Sequence, residues 1–302
     1  MSTFKNVALL GKGYLGSAIL AELLDADFNV TVLGRSDSAK EELPTGVSFK
    51  VVDYASIDSL TPALQGQDVA VSTVSKGGLL TQSTVIDACI KAGVKRYIPS
   101  DWGTSTTDPK AQSELAAILG PVFDTQKYVI ERASAGEIEY TIFSVGGFSD
   151  FFAHLPIVFD FANKSAQLYD DGNHRFSSTS TASIGKAVVG ALKNPEATKN
   201  RNLKIHELVL SQAQLLALAK KYSPPGTEWK ETKLDGKAEF DKALEAALED
   251  PSNEDRILGV IKAAFFSGRY ANVYEEVDNE LVGIPLLTVK ALESKIAAGL
   301  AS

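Results

Sequence analysis

The chain has 302 residues and a formal net charge of −8, with 44% hydrophobic and 23% charged residues. This composition is typical of a globular protein with one large or two modest domains, and it excludes extensive disorder. The acidic balance argues against nucleic-acid binding as the main activity, while it leaves room for a local basic pocket.

The sequence shows neither a metal-ligand spacing nor a membrane-spanning segment. Cys89 is the only cysteine, and His154, His174 and His206 lie far apart without a ligand spacing, so we expect no disulfide and no metal site. No run of about 18 apolar residues predicts a membrane span, and "MSTFKN" leads into a strand rather than a signal peptide. We therefore expect a cytoplasmic protein without membrane or nucleic-acid partners.

Short apolar runs alternate with helical patterns through the first half. Strands are predicted at residues 6–11, 29–34, 47–54, 68–75, 94–100 and 139–145. Helices are predicted between them, one with Leu15, Ile19 and Leu23 on a single face and others at 56–66, 83–93 and 122–136. The alternation predicts an α/β, Rossmann-like, doubly wound parallel sheet, which binds ligands beyond the carboxyl ends of its strands.

The alternation stops near residue 146, where an irregular aromatic segment begins. Further helical patterns follow at residues 181–192, 211–222, 237–250 and 284–299. The organisation predicts a Rossmann domain of residues 1–147 and 175–205. Residues 148–174 and 206–302 are predicted to form a smaller, mostly helical substrate-binding lobe.

Three glycines follow the first predicted strand. Gly11, Gly13 and Gly16 have the G-x-G-x-x-G spacing, which permits a tight turn, a close approach of backbone to phosphates and close packing of helix on strand. Because an amphipathic helix follows, the pattern indicates a pyrophosphate at the helix N-terminus. A tight turn without a ligand remains an alternative.

The end of the second predicted strand distinguishes the two nicotinamide cofactors. Arg35 and Ser36 stand where an NAD site usually has a carboxylate, and an arginine and a hydroxyl are suited to a 2′-phosphate. Lys12 adds a second cation within the glycine turn. We therefore expect NADPH/NADP as the cofactor, the alternative being that Arg35 is a solvated charge.

The segments "KRYIPSDWG" (95–103) and "YTIFSVGGF" (140–148), with Lys127 between them, resemble the isoflavone-reductase-like (NmrA-like) group of atypical short-chain dehydrogenases. The resemblance extends over most of the chain, through 172–188, 194–205 and 278–285. It implies an NADPH-dependent reductase of phenolic and related metabolites of secondary metabolism, or a redox-sensing regulator that binds the dinucleotide without turnover.

The resemblance also implies a set of cofactor-binding residues. They are Gly11, Lys12, Gly13, Tyr14, Leu15, Gly16, Arg35, Ser36, Ser72, Thr73, Val74, Lys127, Gly146, Gly147 and Phe148. The sequence departs from the family pattern twice, since Leu10 or a shorter turn replaces the first glycine of G-x-x-G-x-x-G and Trp102 stands where relatives commonly have phenylalanine.

Lys127 is the predicted catalytic residue. Short-chain dehydrogenases typically use Tyr-x-x-x-Lys, but here Phe123 stands four residues before Lys127, so a phenolic proton donor is missing. The lysine is still able to polarise an acceptor oxygen or to relay a proton. The alternative is an ordinary lysine on a helix surface.

Four residues are predicted to bind substrate: Asp101, Trp102, Phe148 and Phe152. The phenylalanines belong to an aromatic run that also includes Phe151, Phe159 and Phe161, which is suited either to stacking a flat substrate or to an ordinary core. Asp101 is equally well explained as a turn residue.

Two functions remain open at this point. The first is an NADPH-dependent reductase that transfers hydride to a small aromatic, phenolic or enone-like substrate, with Lys127 at the acceptor. The second is a non-catalytic NADP(H)-sensing regulator that acts through a protein partner, which the missing tyrosine favours. The protein is expected to be a monomer or a homodimer.

Overall fold

A computed structural model describes residues 4–37, 40, 43–154, 159–160 and 162–294. Phe161 and the last residues of the helix predicted at 284–299 therefore lie outside the described part of the chain.

The strands and helices alternate as the sequence predicts as far as residue 144. The described strands are β1 (Asn6–Leu10), β2 (Asn29–Gly34), β3 (Ser48–Val51), β4 (Val69–Ser72), β5 (Arg96–Ile98), β6 (Glu139–Ser144), β7 (Gly147–Phe148), β8 (Phe159–Asp160), β9 (Ser165–Tyr169), β10 (Arg175–Thr179), β11 (Arg201–Lys204), β12 (Leu208–Ser211) and β13 (Lys230–Leu234). The described α-helices are α1 (Tyr14–Asp25), α2 (Ile57–Leu64), α3 (Gln82–Ala92), α4 (Pro109–Glu114), α5 (Ala116–Ser134), α6 (Ser149–His154), α7 (Thr181–Lys193), α8 (Pro195–Thr198), α9 (Gln212–Tyr222), α10 (Gly236–Glu249), α11 (Glu254–Phe266) and α12 (Asn279–Val282).

Seven parallel strands form the central sheet in the order β11-β6-β5-β4-β1-β2-β3. The chain therefore has the predicted Rossmann-like, doubly wound α/β fold. Since β1 lies between β2 and β4, the order reverses beside the glycine turn, which is where such sheets bind ligands.

Apolar clusters cover both faces of this sheet. On one face α1 packs against α7, with Leu15, Ile19 and Leu23 buried as the helical period predicts. On the other face α2 and α3 bury residues against the strands, together with Val129 of α5. The buried faces hold the strand ends in fixed positions, and the site is built on these ends.

A second apolar cluster lies in the remaining part of the chain, where α9, α10 and α11 pack around Phe176, Phe240 and Phe266. Two small sheets belong to this region, one in the order β12-β10-β7 and one in the order β13-β9-β8. β10 pairs with β7 and β12 rather than with the central sheet, whereas β11 joins the edge of the central sheet. The bounds of the two domains stay a prediction.

Candidate functional site

The glycine turn lies at the carboxyl end of β1. Gly11 has φ +89, a conformation that glycine adopts without strain, and its N–H donates to the Leu33 carbonyl at 3.2 Å. A Cβ on Gly11 would lie 3.2 Å from the Thr73 carbonyl oxygen. The first glycine of the motif therefore serves both the turn and the close approach of β4.

Thr73, just after β4, closes this turn from the other side. Its N–H donates to the Leu10 carbonyl at 2.8 Å, and its hydroxyl donates to the Leu10 and Gly11 carbonyls at 3.1 and 3.0 Å. A Cβ on Gly16 would overlap the Thr73 hydroxyl at 2.6 Å. The third glycine thus allows α1 to pack against the end of β4.

Gly13 is the N-cap of α1 and makes no side-chain cap hydrogen bond. It is exposed, and a Cβ built on it meets no heavy atom within 4 Å. Space therefore lies directly over the N-terminus of a twelve-residue helix, whose N–H groups and dipole attract anions. This open cradle fits the pyrophosphate of a dinucleotide. Lys12 is half-buried beside it.

Arg35 and Ser36 are exposed at the carboxyl end of β2. The nearby Tyr54 donates its hydroxyl hydrogen to the Leu33 carbonyl at 2.6 Å. Burial raises the pKa of Tyr54 to about 12, while the positive charge of Arg35 partly opposes this shift. The guanidinium therefore lies within electrostatic range of the strand ends beside the glycine turn.

Trp102 lies beyond β5 and bridges two strand ends. Its indole N–H donates to the Ser72 carbonyl at 3.1 Å, and its ring stacks on Phe143 with centroids 5.6 Å apart. Ser100 donates from its hydroxyl to the Val74 carbonyl at 2.6 Å. The segments after β4 and β5 are therefore joined along the edge where Ser72, Thr73 and Val74 are predicted to bind cofactor, and Ser72 itself is buried.

Asp101 is buried and accepts a short hydrogen bond from the side chain of Gln126 on α5. Burial raises the pKa of the Asp101 carboxyl, and hydrogen bonds from Gln126 and Thr106 partly oppose this shift. Gln126 in turn accepts from Gln112 at 3.1 Å. Asp101 thus holds its loop against α5, and the substrate-binding role predicted for it stays a prediction.

Lys127 lies on the exposed face of α5. Val122, Gln126 and Val129 form the buried face of the helix, and Lys127 is about 100° around the axis from Gln126. The structure therefore brings Gln126, rather than Lys127, to Asp101. The catalytic role of Lys127 stays a prediction.

Gly146 and Gly147 follow β6 at the same edge of the sheet. Gly146 has φ +71 and is buried against the backbone of Ser177, and its N–H donates to the Tyr274 hydroxyl at 3.2 Å. Tyr274 donates to the Thr104 carbonyl at 3.0 Å, and burial raises its pKa. A residue from the last part of the chain thus fixes the end of β6.

A line of aromatic rings connects this region with the glycine turn. Phe148 lies 5.3 Å from Phe151, and Phe151 lies 5.0 Å from Tyr14, measured between ring centroids. Tyr14 is 55% exposed, whereas Phe152 is only 4% exposed and packs on Phe176 in the second apolar cluster. The structure thus brings Phe148 to the open edge and Phe152 to the core, while both substrate-binding roles stay predictions.

Three residues that hold the segments of the site in place were not predicted from the sequence: Tyr54, Gln126 and Tyr274. Gln126 had a usable signal, since it occupies an apolar position of the helical pattern between Val122 and Val129. Tyr54 and Tyr274 had none, because their contacts depend on the tertiary fold.

The residues that the structure describes contain no group of three or more His, Cys, Asp or Glu side chains arranged to hold a metal ion. Among the same residues, no helix combines the length and the apolar character that crossing a membrane requires.

Comparison with known proteins identifies the family. A family model described as NAD(P)H-binding matches residues 11–195, which is more than half of the chain. The oxidoreductase aprR of Aspergillus flavus is 30% identical over 98% of this chain and 100% of its own length. The isoflavone reductase homolog IRL of Zea mays is 30% identical over 87% of each chain.

A solved structure of AtPrR2 with NADP⁺ and (+)-pinoresinol has the same fold, with a TM-score of 0.74 at 20% identity, and the match covers 99% of each chain. The glycine cradle at the switch point of the sheet agrees with the family model, whose match begins at Gly11. The chain belongs to the isoflavone-reductase-like family of NAD(P)H-binding oxidoreductases.

Proposed function

We propose that the protein is an NADPH-dependent reductase of a small aromatic metabolite of phenolic or enone-like character. When bound, NADPH supplies a hydride to the acceptor. We assign cofactor binding to residues 1–147 with 175–205 and substrate binding mainly to residues 148–174 with 206–302. The observation that carries the proposal is the line of aromatic rings, Phe148, Phe151 and Tyr14, beside the glycine cradle.

The preference for NADPH over NADH rests on Arg35. An exposed guanidinium at the carboxyl end of β2 is placed to form two parallel hydrogen bonds with a 2′-phosphate, whereas it gives no such advantage with a free hydroxyl. Ser36 supplies a hydroxyl group at the same strand end. The buried Tyr54 hydroxyl donates to the Leu33 carbonyl and so helps to hold the end of β2 in place.

The aromatic class of the substrate rests on the rings and on the relatives. Phe148, in β7, is half-buried, and its ring lies 5.3 Å from that of Phe151 at an interplanar angle of 47°, so the two rings offer apolar faces suited to stacking. The relative in Zea mays is named as an isoflavone reductase homologue, and the solved AtPrR2 structure contains (+)-pinoresinol. Both names refer to aromatic compounds.

Lys127 is proposed to polarise the acceptor oxygen or to relay its proton. Its four-carbon side chain is exposed on α5, one position after Gln126, which contacts the loop carrying Asp101 and Trp102. The Trp102 ring, which stacks on Phe143, is proposed to form one wall of the site. In this assignment Asp101 positions the loop through Gln126.

Titration with NADPH and NADH tests the cofactor assignment. We expect wild-type protein to bind NADPH at least tenfold more tightly than NADH, and Arg35→Ala to remove this preference by weakening NADPH binding only. Lys186→Ala, at an exposed position of α7, is the matched control and should bind both cofactors as wild type does. Equal affinities for both cofactors in wild type would contradict the assignment.

Oxidation of NADPH in the presence of aromatic enones and phenolic ethers tests the reductase activity. We expect turnover with at least one such acceptor, and a tenfold or greater loss of kcat in Lys127→Ala, measured at saturating NADPH. An unchanged kcat would show that Lys127 has no catalytic role.

A second function, a non-catalytic sensor of the NADPH/NADP⁺ ratio, is favoured by two observations. Phe123 stands where a phenolic proton donor would be, and Lys127 is exposed rather than buried next to Asp101. A sensor would bind both redox forms and transfer hydride to none of the acceptors.

A further inference from the structure

Helix α7 starts beside α1, the helix that follows the glycine turn. A Cβ on Gly185 of α7 would lie 3.0 Å from the Ala18 carbonyl oxygen of α1. Gly185 is four residues after Thr181, Ala18 is four residues after Tyr14, and the Tyr14 and Thr181 side chains interact. The two helices therefore begin side by side at the carboxyl edge of the sheet, and each N-terminus attracts anions.

Two carboxylates close the N-terminus of α7. Asp150 accepts hydrogen bonds from the Thr181 N–H at 2.7 Å and from the Thr181 hydroxyl at 2.9 Å. Glu207 accepts from the Ser180 N–H at 2.6 Å. Such N–H groups have no partner within their own helix, and the negative charges are favourable to its dipole. The N-terminus of α1 has no side-chain cap and is open at Gly13, so it is the one of the two that is able to receive a phosphate.

Asp150 belongs to α6, the short helix within the aromatic segment. This helix has six residues, which are too few to be stable without tertiary contacts. Phe148, just before it, is held by the pairing of its backbone with Thr179 of β10, and this pairing ends at Phe148. The two hydrogen bonds from Thr181 to Asp150 thus attach α6 to the start of α7.

Tyr14, the first residue of α1, lies against this attachment. Its ring centroid is 5.0 Å from that of Phe151, at an interplanar angle of 33°. Burial and the negative charge of Asp150 raise the pKa of the Tyr14 hydroxyl, and a hydrogen bond with Thr181 partly opposes this shift. The hydroxyl therefore lies near Asp150 and Thr181 while the ring packs on Phe151. In this position the ring leaves the space next to Gly13 open.

Little else restricts the Tyr14 side chain. It is 55% exposed, and at the first residue of a helix no preceding turn limits the rotamer about the Cα–Cβ bond. Because Gly13 is the adjacent residue, a ring released from α6 would be free to turn towards the glycine cradle.

We propose that Asp150 is a positioning residue of the cofactor site, which keeps the Tyr14 ring beside the glycine cradle rather than across it. Asp150 acts through α6 and Phe151 and does not touch the dinucleotide. A ring that lies across the cradle part of the time lowers the apparent affinity in proportion to the fraction of the protein whose cradle is open. The proposal concerns NAD(P)H binding, which characterises the family, and does not depend on the class of substrate.

Titration of Asp150 variants with NADPH tests the proposal. We expect Asp150→Ala to bind NADPH at least fivefold more weakly than wild type, because α6 loses its attachment to α7. Asp150→Asn should recover most of the affinity, since its carboxamide oxygen still accepts both hydrogen bonds from Thr181. An Asn variant as weak as the Ala variant would show that the charge of Asp150 acts directly, and would overturn the positioning role.

Asp235→Ala is the matched control for the loss of a carboxylate at a helix start. Asp235 accepts a hydrogen bond from the Ala238 N–H at 2.8 Å at the beginning of α10. Asp235→Ala and Asp150→Ala should lower the midpoint of urea unfolding by similar amounts, but only Asp150→Ala should weaken NADPH binding. An equal loss of NADPH affinity in both variants would reduce the effect to general destabilisation and would contradict the proposal.

A double-mutant cycle with Tyr14→Ala identifies the ring as the cause. If the Tyr14 ring obstructs the cradle in Asp150→Ala, the combined variant should bind NADPH as tightly as Tyr14→Ala alone. A fivefold loss that persists without the ring would overturn the proposal. All of these measurements record binding without turnover, so they remain decisive if no acceptor oxidises NADPH and the proposed reductase function fails.

Discussion

The carboxyl edge of the sheet has two halves that are built in different ways. At the glycine turn, Gly11, Gly16 and Thr73 contact one another, and all three lie within the first 73 residues. At the end of β6, Gly146 is held by Ser177 and by Tyr274, which is 128 residues away in sequence. The first half depends on a short motif, whereas the second depends on the packing of distant segments.

This difference explains why the glycine turn can be predicted from the sequence, whereas the contacts at the end of β6 cannot. A glycine spacing can be recognised from residues 11 to 16, because Gly11 and Gly16 meet neighbours that belong to the same strand-turn-helix unit or to the segment just after the adjacent strand β4. The contact of Gly146 with Ser177 and Tyr274 has no sequence spacing that could reveal it. Substitution of glycines in each half of the edge tests this comparison.

The largest effect is expected for Gly146→Ala. The new Cβ would overlap the Ser177 backbone, and alanine would also have to adopt φ +71, so the free energy of unfolding should fall by about 4 kcal/mol. Gly136→Ala is the matched control, since Gly136 has φ +75 but a Cβ there meets nothing within 4 Å. It should cost only about 1 kcal/mol. Urea unfolding measures both, and equal losses would contradict the role of the distant contact.

A smaller effect is expected at the glycine turn. In Gly16→Ala the Cβ would overlap the Gly11 carbonyl and the Thr73 hydroxyl, so stability should fall by about 2 kcal/mol and NADPH binding should weaken. Gly13→Ala should leave stability within about 0.5 kcal/mol of wild type, because its Cβ enters open space, yet it should weaken NADPH binding by filling the cradle. Unchanged NADPH affinity in Gly13→Ala would show that phosphates do not approach this residue.

The smallest effect concerns His206, which belongs to the half held by distant contacts. Its Nδ1 atom lies 2.9 Å from the Ser177 hydroxyl, and burial lowers its pKa from 6.5. Because the unfolded chain then binds a proton more readily than the folded chain, the free energy of unfolding should fall as the pH falls below 6.5. We expect a contribution below about 1 kcal/mol, measured as the difference in urea unfolding between pH 8 and pH 5.5. His206→Asn should reduce this difference, and an unchanged pH dependence in that variant would assign it to other groups.

The parallel sheet could be predicted because its inner strands are continuous apolar runs, such as those that contain Leu9, Val32 and Val71, all fully buried. Such runs occur where both faces of a strand are covered. By contrast, β13 has the sequence KETKL and is mostly exposed, so it has no apolar pattern and escaped prediction. Its pairing with β9 depends on backbone hydrogen bonds rather than on burial.

Helix α11 escaped prediction for the opposite reason. Its apolar residues lie on two faces, with Val260 in the core and Leu258 and Ile261 exposed on the opposite side, so no single period of 3.6 residues stands out. At the site, the glycine turn could be recognised from its spacing and Gln126 had a signal in the helical period, whereas the contacts of Tyr54 and Tyr274 required the fold.

The pairing of β6 has a consequence for how the chain folds as it is synthesised. β6 lies between β5 and β11, and β11 begins at Arg201, long after β6 ends at Ser144. A nascent chain that has emerged only as far as residue 150 would therefore carry an unpaired parallel edge, which is a template for aggregation. The sheet of the nucleotide-binding half thus cannot be completed until the chain has been synthesised as far as Lys204, which includes residues 148–174 of the predicted smaller lobe but none of residues 206–302.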